Sequence, residues 1–150
     1  MACGNTYKSP RCKSCVRYFN NITQPIPVST TLPLVIAGTR VVNTGVSIDA
    51  EPQSYTTHTN GLYHISADVS VAATAAGEVV LYWTMDGVQL PCTVTEQRIA
   101  IGNATIHTET DIDIRGCCCA ADHTFALVIV SDDAATGTVT HVCSGIIKEA

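Results

Sequence analysis

The side chains best suited to chemistry in this chain are its eight cysteines and five histidines. Cys117, Cys118 and Cys119 stand in a row within RGCCCAADH, with His123 four positions further on. Neighbouring Cα atoms lie about 3.8 Å apart, under the ~4.4–6.8 Å a relaxed disulfide spans, so adjacent members of the row do not bridge without strain. Cys117 and Cys119 point the same way in extended chain and are poorly arranged to bridge each other, though either can reach another strand. With His123 they supply three metal ligands at a spacing no common zinc motif uses. The preferred reading is a loop between strands, filled by small, soft side chains. A disulfide and a metal site are the alternatives.

Cys3, Cys12 and Cys15 form a second set. Cys12-x-x-Cys15 has the spacing of half a zinc site, but the next cysteine is Cys92, beyond several expected strands. These three are the candidate metal ligands, with zinc the implied ion and no other cofactor expected. A flexible arm with incidental thiols, or interchain disulfides, is the competing reading.

Other pairings are weaker as chemistry. His64 and Asp68 share one face of a strand, as a catalytic pair would, but solvated outer-face residues are the preferred reading. His141 and Cys143 share a face of the last strand and are expected to be buried structural residues. Glu109, Asp111 and Asp113 make an acidic stripe, read as a solvated strand face in preference to a calcium site. The chain has no Gly-x-Ser-x-Gly elbow, phosphate loop or His-Glu-x-x-His. No catalytic residue is assigned, and no enzyme is expected.

The elements that must hold these residues are strands. Thr, Val and Ile number 20, 16 and 13, against 6 Leu, and stiff β-branched side chains favour pleated surfaces. LYHISADVSV alternates, with Tyr63, Ile65, Ala67, Val69 and Val71 on one face. ATIHTETDIDI sets Ile106, Thr108, Thr110, Ile112 and Ile114 against His107, Glu109, Asp111 and Asp113. That period of two predicts half-buried strands. EVVLYWTM and HTFALVIVS are apolar on both faces for part of their length, as central or interface strands are. Asn60-Gly61, Asp86-Gly87 and SDDAATG supply turns. No helix is expected, and no stretch nears the roughly 20 apolar residues that span a bilayer. The opening residues lack an apolar core, so no secretory signal is expected.

Charge divides the chain. Residues 1–24 hold Lys8, Arg11, Lys13 and Arg17 and no acid, while the remainder holds 4 basic and 13 acidic residues. A basic arm on an acidic body predicts an acidic partner surface. Tyr7, Tyr18 and Phe19 are placed to stack on bases, but four cations do not support sequence-specific nucleic-acid binding. The expected division is an anchoring arm over 1–24, a Pro-rich linker or first strand over 25–33, and a β domain over 34–150.

Over roughly residues 34–148 the chain resembles the jelly rolls of tumour necrosis factor and the complement globular head. TNGLYHISADVSV resembles their Gly-x-Tyr-x-apolar strand, and GEVVLYWTMDGVQL the strand and turn that follow. ATIHTETDIDIRG with HTFALVIV resembles a later strand pair, and HVCSGIIKEA the closing strand. The Gly-Asp usual before the penultimate strand is replaced here by the cysteine loop. The resemblance implies an all-β, two-sheet antiparallel jelly-roll sandwich that trimerises, with Val80 and Tyr82 at the seam. Similar jelly rolls occur in phage head fibres, capsid decoration proteins and spore-surface proteins. The function expected is a structural virion protein, made without a signal peptide and displayed on the virion surface. Its expected partners are its own copies and an acidic capsid or other particle protein, with no membrane and no nucleic acid. The alternative is a bacterial surface or spore-surface module that binds a carbohydrate or a protein receptor.

Overall fold

A computed structural model describes residues 14–28, 31–44, 48–115, 122–132 and 136–149. Thirteen strands appear among them: β1 Ser14–Asn20, β2 Gln24–Pro25, β3 Leu32–Pro33, β4 Thr39–Thr44, β5 Ile48–Glu51, β6 Ser54–Thr57, β7 Gly61–Ala75, β8 Gly77–Met85, β9 Val88–Gln89, β10 Thr95–Ile99, β11 Gly102–Ile114, β12 His123–Ser131 and β13 Thr136–Lys148. The first sheet runs β11-β7-β13-β1-β4, with β2 on β13. The second runs β10-β8-β12-β6-β5, with β3 on β12 and β9 on β8. All the ladders between these strands are antiparallel.

Alternation decides what each sheet buries. On β7, Tyr63, Ile65, Ala67, Val69 and Val71 point into the sandwich and are at most 1% exposed. Ile106 on β11 and Val142 and Ile146 on β13 extend that inner layer. Val79, Leu81 and Trp83 on β8, with Phe125, Leu127 and Ile129 on β12, face them from the second sheet. Burying such a side chain stabilises by about 1.5–3 kcal/mol, so these rows carry most of the driving force. Tyr55 links the layers. It stands 6.2 Å from Trp83 and 6.3 Å from Tyr18, and its hydroxyl shares a 2.7 Å hydrogen bond with Ser144 of the first sheet. Burial drives the Tyr55 phenol pKa upward, so it stays protonated for that bond.

The structure corrects the boundary of the arm. Residues 14–20 form a strand inside the first sheet, paired to β13 on one side and β4 on the other. Val16 and Asn20 are buried, and Tyr18 packs on the core. The sequence hid this strand because SCVRYFN alternates over few residues and carries a charge at its centre. Pro25 and Pro33 behave as expected, each in a two-residue strand at a sheet edge. Asp86 and Gly87 take φ of 52° and 83°, the left-handed pair that a tight hairpin into β9 requires. Cys3, Cys12, Lys8, Arg11 and Lys13 lie outside the described residues, as does the Cys117–Cys119 row in the β11–β12 connection.

Candidate functional site: the outward face of the first sheet

β7 places its even-numbered residues, and β11, β13 and β1 their odd-numbered ones such as His107, Cys143 and Arg17, on the outer surface of the first sheet. The β11–β7 register sets His107 opposite Asp68 and Asp111 opposite His64. The β13 ladders continue the row from Asp68 to Cys143 and then to Phe19. One row down, Ser66 faces Glu109 on one side and Gly145 on the other, and Gly145 faces Arg17. A Cβ on Gly145 would lie 2.8 Å from Arg17 Cγ, so the missing side chain lets the Arg17 stem cross the strand.

The histidines and carboxylates along this face are paired. His64 Nδ1 lies 2.8 Å from Asp111 Oδ1. His107 meets a carboxylate at each nitrogen, Asp68 at 2.7 Å from Nδ1 and Glu109 at 3.3 Å from Nε2. Only a protonated imidazole donates from both nitrogens. The hydrogen bond to Asp68, and behind it the one to Glu109, raises the His107 pKa above the ordinary 6.5. Asp113 accepts from Arg115 Nε at 2.7 Å. The expected acidic stripe is therefore a set of paired carboxylates, Asp111 with His64 across the strands and Glu109 and Asp113 with His107 and Arg115 two residues away along the chain. His64 and Asp68, coupled by sequence proximity in the first reading, each take a partner from β11 instead.

His141 and Cys143 were expected inside. Both are exposed, because the β13 register turns Val142, Ser144 and Ile146 inward. Burial, and after it the Asp68 carboxylate, raises the Cys143 thiol pKa against a smaller pull from Arg17. A thiol held in its neutral form is a poor nucleophile.

A second histidine set sits at the end of the sandwich near the first and last described residues. His58 bridges Asp49 at 2.6 Å and Asp122 at 2.9 Å, and its pKa is raised by those bonds, Asp122 foremost. His123 lies 2.7 Å from Asp86. Burial works to raise the Asp86 pKa, but the Thr124 N–H at 2.9 Å and His123 outweigh it, and the net pKa is lowered. His123, read from sequence as a third ligand beside Cys117 and Cys119, thus has a carboxylate partner. The sequence signal for these pairs was slight, since Asp49, His58, Asp86 and Asp122 come from four separate segments.

Arg17, one of the anchoring candidates, is exposed on this outer face, whereas Cys15, two residues earlier, is fully buried. Val80 and Tyr82 lie on the outer face of the second sheet, Val80 half-buried and Tyr82 only 9% exposed within one chain. Among the described residues no three His, Cys, Asp or Glu side chains gather into a metal-binding group, and no helix is long and apolar enough to cross a membrane.

No protein-family model matches this chain, and no curated protein matches it by sequence. Solved structures do match it. The PRD1 vertex protein P5 superposes with a TM-score of 0.62 at 12% identity, over 92% of this chain and 74% of that one. The globular domain of zebrafish complement 1qA protein gives 0.59 at 12% identity, over 89% of this chain and 95% of the other. Murine APRIL at pH 8.0 gives 0.57 at 13% identity, over 90% and 98%. The fold is the jelly roll of the tumour-necrosis-factor and complement globular-head type, a two-sheet antiparallel sandwich. At these identities the likeness concerns the fold alone.

Proposed function

We propose that this chain is a non-enzymatic structural protein of a virion surface, a capsid decoration or head-fibre subunit. It assembles as a homotrimer and is anchored through the basic residues at its start. The observation that carries this reading is the likeness to a vertex protein over 92% of the chain. Lys8, Arg11 and Lys13 precede β1 in the sequence and Arg17 is exposed on it, a positive charge suited to an acidic particle protein. Neither a membrane nor nucleic acid is part of this reading. The His–carboxylate pairs act as ties between strands, with no activated nucleophile beside them among the described residues, which supports a role without catalysis. Because Tyr82 has little surface left to bury, Val80 is the residue of the pair through which the second sheet would meet a neighbour.

The test has two parts. Light scattering at micromolar protein gives a trimer, and a stable monomer overturns that element. Deleting residues 1–13 leaves the melting transition in place and abolishes attachment to particles; attachment that survives overturns the anchoring role. Zinc at Cys3, Cys12 and Cys15 is not part of this reading, and stoichiometric zinc in the purified chain, measured by mass spectrometry, would contradict it.

A second reading, a bacterial surface or spore-surface module that binds a carbohydrate or protein receptor, has its own support. The complement and APRIL domains are covered over 95% and 98% of their length, against 74% for the vertex protein. Capsid genes beside this one favour the first reading, and spore-coat or surface-export genes the second.

A further inference from the structure

The outer face of the first sheet changes character toward the end away from the first and last described residues. There the β13–β7 ladder slips. Val139 pairs with Val71 and His141 with Ser70, which leaves Thr140 as an extra residue. A bulge of this kind bends its strand and re-aims the side chains beside it. Thr140 Oγ1 turns to donate to the Ser70 carbonyl at 3.2 Å, and the His141 ring stacks on Phe19 with centroids 5.7 Å apart at 27°. Between β11, β7 and the bulge lies an open depression of about 390 Å³. That volume falls within the ~300–1,000 Å³ of small-molecule sites.

Its lining is specific in chemistry. Three hydroxyls, Ser70, Thr105 and Thr140, come from three neighbouring strands, with the Asn103 amide and the His141 ring beside them. Each hydroxyl both donates and accepts, and an amide offers two donors and an acceptor. No Asp, Glu, Lys or Arg lines the depression. The charges begin one row further along the sheet, with Asp68 and His107.

An anion finds no lysine or arginine here and meets the Asp68 carboxylate at the border. A metal ion finds no carboxylate, and an apolar ligand would cover the Asn103 amide and the remaining lone pairs of the three hydroxyls, whose existing contacts are the 3.5 Å Ser70–Thr105 approach and the Thr140 bond to the Ser70 carbonyl. A neutral polyhydroxylated ligand satisfies all of them. Its hydroxyls exchange hydrogen bonds with Ser70, Asn103, Thr105 and Thr140, while its C–H face lies against the His141 ring, which Phe19 supports from β1. We infer that this depression is a binding site for neutral saccharides, formed by the bulge at Thr140. The inference does not need the particle-subunit reading, and it deepens the surface-module reading by naming the ligand class. An open site binds weakly per copy, and linked copies raise the effective affinity without any new contact.

The test uses the full chain in its native assembly, with saturation-transfer NMR. The probes are galactose, mannose and N-acetylglucosamine, with sialic acid as the anionic comparator. At least one neutral sugar receives saturation, and sialic acid receives less. Asn103→Ala removes the amide and Thr105→Trp fills the depression; both positions are exposed, and each weakens the neutral sugar at least tenfold at an unchanged melting temperature. Glu96→Ala, on the second sheet, leaves binding intact. If Thr105→Trp does not fold, Asn103→Ala carries the test alone. The inference is overturned if no neutral sugar binds, if sialic acid is preferred to all of them, or if a folded variant binds as the parent does. Light scattering on the same samples separates the two claims: a sugar-binding monomer removes the trimer and keeps the site, and a trimer that ignores every sugar does the reverse.

Discussion

Across the outer face of the first sheet one row reads His107, Asp68, Cys143, Phe19. Across the outer face of the second, a row reads Glu96, Val80, Val130, and beside it Tyr82 stands against Val128. On the first sheet Asp68 of β7 and Glu109 and Asp111 of β11 each hold a histidine. On the second the two central strands turn apolar residues both inward and outward, and Tyr82 and Val128 are 9% and 5% exposed. One surface is thus fixed by pairs of side chains reaching across strands, the other by apolar contact. The first tolerates water and responds to protons, and the second tolerates neither added charge nor added water.

The largest test of that contrast removes a strand from one sheet only. Deleting residues 1–24 takes β1 from between β13 and β4 and with it the buried Val16 and Asn20. Whole-domain stability is typically ~5–15 kcal/mol, and the loss of an internal strand exceeds what remains. Calorimetry should find no cooperative transition, whereas deleting residues 1–13 leaves one. A truncated 25–150 body that melts cooperatively would return the boundary to residue 24.

The next test cuts the tie between the sheets. Tyr55→Phe leaves the Ser144 hydroxyl buried without its 2.7 Å partner, at a cost of about 1–3 kcal/mol in urea denaturation. Ser144→Ala in the same background should restore part of that loss, because it removes the stranded group.

Matched lysines then compare the faces directly. Val80 and Ser66 each stand opposite a glutamate, Glu96 and Glu109 respectively. Val80→Lys gives up apolar contact and should cost about 1–3 kcal/mol. Ser66→Lys should stay within roughly 0.5 kcal/mol, the range of ordinary surface changes. Equal costs would erase the distinction, and whichever variant loses its trimer marks the seam.

The smallest effect is proton linkage. His58 and His107 have pKa values raised above the ordinary 6.5 in the folded state, so the folded chain holds protons the unfolded chain has released. Their contribution is complete below that value and is lost as pH rises through the folded pKa. Asp86, with its pKa lowered, works the other way, contributing above the ordinary 3.8 and losing that contribution as pH falls through its folded value. Stability should therefore peak in mild acid and decline above neutrality, by roughly 0.2–1 kcal/mol per exposed pair. His107→Gln and His58→Gln each flatten the alkaline side of the profile, and a melting temperature that rises from pH 6 to pH 8 would contradict the assignment.

Much of the fold was legible because β7 and β11 alternate over 15 and 13 residues, long enough for period two to stand out. Of the two readings open for the apolar runs at β8 and β12, central or interface strands, their interior places in the second sheet fit the first. β1 was missed because its charge was weighed above its pattern, although Arg17 simply occupies an outward position. The histidine pairs were illegible for a different reason. Knowing that His107 faces outward says nothing of whether Asp68 lies beside it; that depends on ladder register, which short-range pattern does not encode. The bulge at Thr140 was equally hidden, since THVCSG carries no glycine or proline at the slip itself.

The pairing of β1 with β13, Ser14 against Lys148 through Asn20 against Val142, also sets a timetable for synthesis. At ~5–20 residues per second, roughly 7 to 27 s separate the making of the two strands. Through that interval SCVRYFN waits with one or both edges unpaired, and a pairing of such large sequence separation forms late. A waiting apolar strand is a template for pairing with the wrong chain. Arg17 stands at its centre on the side that remains exposed after folding, where a charge discourages edge-to-edge association before β13 arrives and costs the finished sheet nothing in buried polarity.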